Sequence, residues 1–195
     1  MTDVLALATL VLWPIIPLFW ILVHCATPFF RRIGRLTYIV FIAAWLPLAY
    51  LICSQRGFLL HYTIHFPHLV NIVGIFLLSL GTSLHVWTGK LLTFEGLVGL
   101  PEISERITGT LVTKGPFSVV RHPTYLAHTL MFSGVFLMTG VVAVGIIAVL
   151  DCVAVNIFII PLEERELSER FGEDYKEYKR GVPRFFPSGP RQRTS

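Results

Sequence analysis

Between Tyr125 and Leu162 the chain carries a single charged residue, Asp151. One α-helix needs roughly 20 apolar residues to cross a hydrocarbon core about 30 Å thick. The run is nearly twice that length, so it is expected to fold as two helices joined by a tight turn near Thr139-Gly140.

The rest of the composition agrees with a lipid environment. Hydrophobic residues make up 54% of the chain and charged residues only 14%, and the mean hydropathy is +0.69. Such values are hard to reconcile with a water-facing surface. Three further runs, Val4 to His24, Leu36 to Ser54 and Leu69 to Trp87, each match one span. The expected fold is therefore all-α: a polytopic membrane protein with five transmembrane helices and no Rossmann domain. Residues 1–88 form the three N-terminal spans. Residues 89–195 form a catalytic region made of a loop, the hairpin 123–161 and an amphipathic C-terminal helix with its tail.

Charge placement predicts the orientation. Arg31, Arg32 and Arg35 lie between the first two spans, and Lys90, Arg106, Lys114 and Arg121 follow the third. Glu163 to Ser195 adds eight Lys or Arg and seven Asp or Glu. The positive-inside bias places these segments in the cytoplasm and the N-terminus outside. The polar loop Thr88 to Phe117 and the tail then meet on one membrane face. Pro161 suits the first turn of a new helix, and Leu167, Phe171, Tyr175 and Tyr178 follow at helical spacing as one apolar face. That helix is expected to lie along the interface and roof the site.

Several features read as structural. Cys25, Cys53 and Cys152 are odd in number and lack metal-ligand spacing. The N-terminus, with Asp3 ahead of a run interrupted by Pro14 and Pro17, resembles a retained span more than a cleaved signal. Asp151 needs a partner within the hairpin, a histidine or Asn156. His61, His65 and His68 fall in the outer loop, and no metal site is expected.

The chemistry concentrates in three places. Leu111-Val112-Thr113-Lys114-Gly115-Pro116-Phe117 leads into Arg121-His122-Pro123-Thr124-Tyr125. About forty residues later come Glu163-Glu164, then Phe171-Gly172, Tyr175, Tyr178 and Val182-Pro183-Arg184. Each has a plain reading when taken alone. Acids in a first helical turn complement the macrodipole, His122 caps the helix that Pro123 begins, Arg121 contacts headgroups, and Tyr125 anchors in the aromatic belt. His122 and Tyr125 nevertheless lie one helical turn apart and share a face. Polar groups this varied at both ends of an oily hairpin have the layout of a membrane enzyme.

In this order, and separated by a hairpin, the motifs resemble the isoprenylcysteine carboxyl methyltransferase family, in a short prokaryotic or archaeal form. The likeness covers residues 105 to 187 approximately. It implies an integral membrane methyltransferase that uses S-adenosylmethionine, releases S-adenosylhomocysteine, and meets a lipid or prenylated acceptor entering from the bilayer. By matching positions, Leu111 and Val112 would offer main-chain contacts to the cofactor, Phe117 and Pro123 would lie near it, and His122, Tyr125, Glu163 and Glu164 would bind its polar groups. Arg121 and Glu163 would be catalytic. A monomer among membrane lipids is expected, with no nucleic-acid partner.

A carboxylate acceptor with a pKa near 3.5 is already ionised at neutral pH and needs no general base. Two departures from the family pattern bear on the acceptor. Leu126-Ala127-His128 follow the RHPxY motif where a small pair including Gly is usual, and Ile159 stands where isoprenylcysteine enzymes tend to carry Arg. Arg121 is then the nearest candidate for an acceptor carboxylate. Two other readings share parts of the signature: a phospholipid N-methyltransferase, and an NADPH-dependent membrane sterol reductase.

Overall fold

In the computed structural model, residues 2–97, 99–103 and 109–185 are described. The helices, in chain order, are α1 (Thr2–Leu12), α2 (Ile15–Cys25), α3 (Thr27–Ile33), α4 (Leu36–Ser54), α5 (Arg56–Leu59), α6 (His68–Leu97), α7 (Leu100–Ile103), α8 (Pro123–Thr139), α9 (Val142–Ala154), α10 (Ile160–Phe171) and α11 (Glu173–Gly181). Arg106 and the basic end of the tail lie outside the described residues.

Four segments are long and apolar enough to cross a membrane: Thr2–Cys25, Leu36–Ser54, His68–Leu92 and Val142–Phe171. The fifth expected span corresponds to α8, which has 17 residues and extends about 26 Å at 1.5 Å per residue. Helices suit this environment because lipid offers no partner to a backbone polar group.

The expected hairpin turn is present. Gly140 ends α8 in the left-handed region at φ 66°. A side chain there is blocked, because a Cβ would lie 2.0 Å from the Ile64 carbonyl oxygen. Around this turn the loop before α6 is held by Ile64 N–H to Gly140 O at 2.8 Å and Val142 N–H to Tyr62 O at 2.9 Å. This end of the hairpin is opposite the one that carries His122.

Small residues let α6 and α8 pack backbone to backbone. A Cβ on Gly134 would lie 2.6 Å from Leu78 N, and one on Gly81 would lie 2.8 Å from Ala127 O. Close approach through glycine is the usual means of joining helices where lipid removes the hydrophobic drive. The result fixes α8, and therefore His122 and Tyr125, against the long α6.

Four expectations require correction. The first span is not one helix: it bends at Trp13-Pro14 between α1 and α2, because Pro14 cannot continue the hydrogen-bond ladder. The segment expected to be loop from Thr88 onward is helical as far as Leu97. Pro161 starts no separate helix, since α9 runs through a π-helical turn, Val155–Ile159, into α10. The chain turns instead at Gly172 (φ 58°), so Leu167 and Phe171 lie on one helix and Tyr175 and Tyr178 on the next.

The fourth correction concerns Asp151. Its partner is the indole of Trp13, which donates to Oδ1 at 3.0 Å, while Asn156 bonds the Cys152 carbonyl one turn back. The carboxylate thereby ties α9 to the kink in the first span.

Candidate active site

The RHP motif begins where the chain returns from an extended segment to helix. Gly115–Ser118 form one turn of 3-10 helix opened by Gly115 at φ 61°. Pro123 then occupies the first turn of α8, where its missing N–H costs nothing. His122 stands at the N-cap position but makes no side-chain cap. Its ring turns toward α10.

Glu163 and Glu164 are adjacent on α10 and play different parts. Glu164 is buried among cations. Arg121 donates to its Oε1 from Nε at 3.2 Å and Nη2 at 2.9 Å, His122 Nε2 lies 3.2 Å from the same oxygen, and Lys179 Nζ lies 2.7 Å from Oε2. Arg184 completes the shell at 3.8 Å. One carboxylate facing four cationic groups is an internal clamp, because its charge is compensated within the protein.

Arg121 extends the clamp into the tail. Its Nη1 donates to the carbonyl of Lys179 at 3.0 Å and to that of Val182, and its own N–H donates to Pro183 O at 2.8 Å. The phenol of Tyr178, pushed up to about 12 by burial, stays protonated and donates to Phe117 O at 2.6 Å. Residues 117 to 122 and 178 to 184 are thereby stitched together, which fixes α11 over the start of α8.

Glu163 faces the other way, into a cavity of about 790 Å³. His122 Nδ1 stands 3.5 Å from Glu163 Oε2, and Tyr125 also bonds this carboxylate. Burial opposes the imidazolium, but the bonds and charges of the two glutamates outweigh it and raise the His122 pKa above its ordinary value. The motif histidine thus holds its proton more tightly than a free imidazole does.

Four buried polar atoms on the cavity lining have no hydrogen-bond partner among the described residues: Tyr175 Oη, Thr124 Oγ1, His85 Nδ1 and His128 Nδ1. Buried polar groups are nearly always paired, so several orphans around one cavity call for a bound molecule. Leu111 and Val112 line the same space in extended backbone, and no described residue hydrogen-bonds their main-chain groups. A carboxylate, backbone polar groups of an extended segment and aromatic faces from Phe117 and Tyr175 suit a donor that carries a cation, hydroxyls and an adenine. These residues fit S-adenosylmethionine.

Of the residues expected at the site, Leu111, Val112, Phe117, Arg121, His122, Tyr125 and Glu163 all line the cavity. Pro123 is buried at the start of α8 and Glu164 is in the clamp; neither lines it. Ile159, in the position of the family Arg, is fully buried in a cluster with Tyr125, Val155 and Ile160. Sequence reasoning missed the contribution of the N-terminal helices: Ile16, Phe19 and Trp20 of α2 and Tyr38, Phe41 and Trp45 of α4 form an apolar wall. It also missed His85 and Thr124. Apolar residues in a spanning run carry no mark of which face is lined by lipid and which by ligand.

The cavity reaches the surface on two flanks. Ile15 and Ile42, both exposed, lie on its apolar side between α2 and α4, and the exposed Gly109 and Thr110 lie on its polar side. Among the described residues no three His, Cys, Asp or Glu side chains group as a metal site. His61, His65 and His68 remain at the far end of the molecule.

Comparison with known proteins matches residues 69–174, more than half the chain, to the model of the phospholipid methyltransferase family. The cobalt-zinc-cadmium resistance protein CzcN of Cupriavidus metallidurans is 35% identical over 112 residues, covering 52% of this chain and 51% of that protein. The nickel-cobalt-cadmium resistance protein NccN of Alcaligenes xylosoxydans is 35% identical over 85 residues, covering 44% and 39%. Methanethiol S-methyltransferase 1 of Bradyrhizobium diazoefficiens is 32% identical over 98 residues, covering 47% and 33%. The chain thus aligns with about half or less of the length of these relatives. No solved structure matches the chain.

Proposed function

Because the chain belongs to the phospholipid methyltransferase family, we propose that it is an integral membrane enzyme that transfers a methyl group from S-adenosylmethionine to a hydrophobic acceptor. The observation that carries this reading is one cavity that joins Glu163, His122 and the extended backbone of Leu111-Val112 to an apolar wall open between α2 and α4. A charged donor and a greasy acceptor need such a two-sided chamber.

Methyl transfer from a sulfonium is an in-line displacement, and an enzyme accelerates it chiefly by holding the partners close with water excluded. Bound at the polar side, the donor supplies the electrophilic methyl. Glu163 is placed to hold its positive centre, and His122 positions Glu163. Tyr175 and Thr124 provide hydroxyls for its polar groups. The Glu164 clamp keeps the roof shut. Five spans, with the N-terminus outside and the site at the cytoplasmic face, agree with the charge distribution.

The acceptor arrives from lipid. An isoprenylcysteine carboxylate would need a cation at its end of the cavity. The lining Arg121 is engaged by Glu164, and Arg170 lies 3.4 Å from Glu166. That geometry favours an acceptor that enters uncharged.

Incorporation of labelled methyl from S-adenosylmethionine into a farnesylcysteine analogue, phosphatidylethanolamine and a long-chain alkanethiol, using the full chain in detergent, tests the reading. Transfer to at least one of them, abolished by Glu163→Gln, is expected. A protein that binds the donor's product no better than buffer would overturn it.

A further inference from the structure

Away from α10 the cavity is lined by rings. On one side Phe19 of α2 lies 5.4 Å from Trp20, 5.9 Å from Tyr38 and 4.9 Å from Phe41 between ring centroids, which joins α2 to α4. On the other side a ladder runs along α8, from His122 to Tyr125 at 5.9 Å and from Tyr125 to His128 at 6.3 Å, then across to His85 of α6 at 4.9 Å. Every one of these rings lines the same cavity. Trp45 lines it too, and its indole is fixed by donating to the Val11 carbonyl at 2.8 Å. The charged side chains on the described lining, Arg121, Glu163 and Arg170, belong to α10 or the entrance to α8; none comes from α2, α4 or α6. Charge and rings therefore occupy different ends of the chamber.

An acceptor that leaves the bilayer is already in hydrocarbon. Lipid tails are as apolar as an aliphatic side chain, so burying a saturated body here adds little driving force. Discrimination has to come from an interaction that the tails do not offer. Aromatic rings supply one: pairs with centroids about 4.5–7 Å apart gain beyond the area they bury, because the positive edge of one ring meets the negative face of another. Both walls hold their rings at such distances from one another, so an added ring meets faces and edges fixed in advance. We infer that the chamber selects an acceptor whose buried body is an aromatic ring over a saturated one of equal size, with Tyr38 and Phe41 of α4 as specificity-determining residues. This rests on the methyltransferase reading above, and it concerns the body of the acceptor rather than its methylated atom.

The test uses the full chain in detergent and two probes, para-bromobutylbenzene and the matching bromobutylcyclohexane, which are alike in size and differ in the ring. Bromine quenches nearby indoles, and Trp20 and Trp45 report from the lining. Calorimetry with S-adenosylhomocysteine comes first. Binding by wild type is expected, and its absence would overturn the methyltransferase reading itself. With that product bound, quenching by the aromatic probe should saturate at a mole fraction in detergent about 10-fold lower than the cyclohexyl probe needs, the effect of one strong ring pair. Tyr38→Leu/Phe41→Leu keeps both reporters. In it the aromatic probe should weaken toward the cyclohexyl value while the cyclohexyl probe changes little. Equal or tighter binding of the cyclohexyl probe by wild type would overturn the inference, as would an undiminished aromatic preference in the double variant. If the double variant loses S-adenosylhomocysteine binding and is therefore misfolded, the wild-type comparison and Tyr38→Leu alone decide by the same criteria.

Discussion

Glu163 and Glu164 are neighbours on α10, yet Glu164 accepts from Arg121 at 2.9 Å inside a four-cation clamp while Glu163 turns into the cavity, its Oε2 3.5 Å from His122 Nδ1. The pair divides structure from chemistry. Breaking a buried ion pair by removing one partner costs about 3–5 kcal/mol. Glu164→Gln is therefore expected to lower the thermal midpoint by several degrees, whereas Glu163→Gln, which weakens only the longer His122 contact, lowers it less and removes S-adenosylhomocysteine binding. Differential scanning fluorimetry and calorimetry on both variants check the contrast.

The His122 imidazole predicts a pH dependence. Its folded pKa is raised above the ordinary 6.5. A raised value means that the folded state binds the proton more tightly than the unfolded chain, so the stabilisation is complete below about pH 6.5 and lost as pH climbs through the folded value. The midpoint of the ligand-free protein should fall with pH above 6.5, and His122→Gln should flatten that slope. A wild-type midpoint that rises across this interval would contradict the assignment.

Gly134 tests the packing that holds α8. An added Cβ would meet Leu78 N at 2.6 Å and Gly74 O at 2.8 Å, both main-chain atoms that cannot swing aside. Overpacking of this kind costs about 1–3 kcal/mol. Gly134→Ala should lower the midpoint, and the larger Gly134→Val should lower it further, as scanning fluorimetry will show.

Asp151 needs an acceptor role and not a charge. Trp13 donates to its Oδ1, and an amide oxygen can accept the same bond. Asp151→Asn is expected to retain stability within about 0.5 kcal/mol, the range of substitutions that break nothing. Trp13→Phe strands the buried carboxylate and should cost about 1–3 kcal/mol. Urea titration of the two variants measures the difference.

Much of this was legible in the sequence because its signals were local. The length of the run 125–162 forced a turn, and Gly140 supplied the only conformation that fits beneath the Ile64 carbonyl. RHPxY and the glutamate pair marked the site, and seven of its expected residues meet at one cavity. What escaped depended on geometry between helices. No pattern distinguishes Glu163 from Glu164 until α10 is oriented, and the π turn at Val155–Ile159 that helps set that orientation leaves no trace in composition. The Trp13–Asp151 bond spans 138 positions. The apolar wall of α2 and α4 was hidden because lipid and a hydrophobic ligand ask for the same residues.

The central claim is that Glu163 and its surroundings hold a sulfonium donor. Titrating the full chain in detergent with S-adenosylhomocysteine, and separately with NADPH, tests it most directly. Saturable binding of S-adenosylhomocysteine alone, lost in Glu163→Gln, is the predicted result. Saturable binding of NADPH without S-adenosylhomocysteine would contradict it.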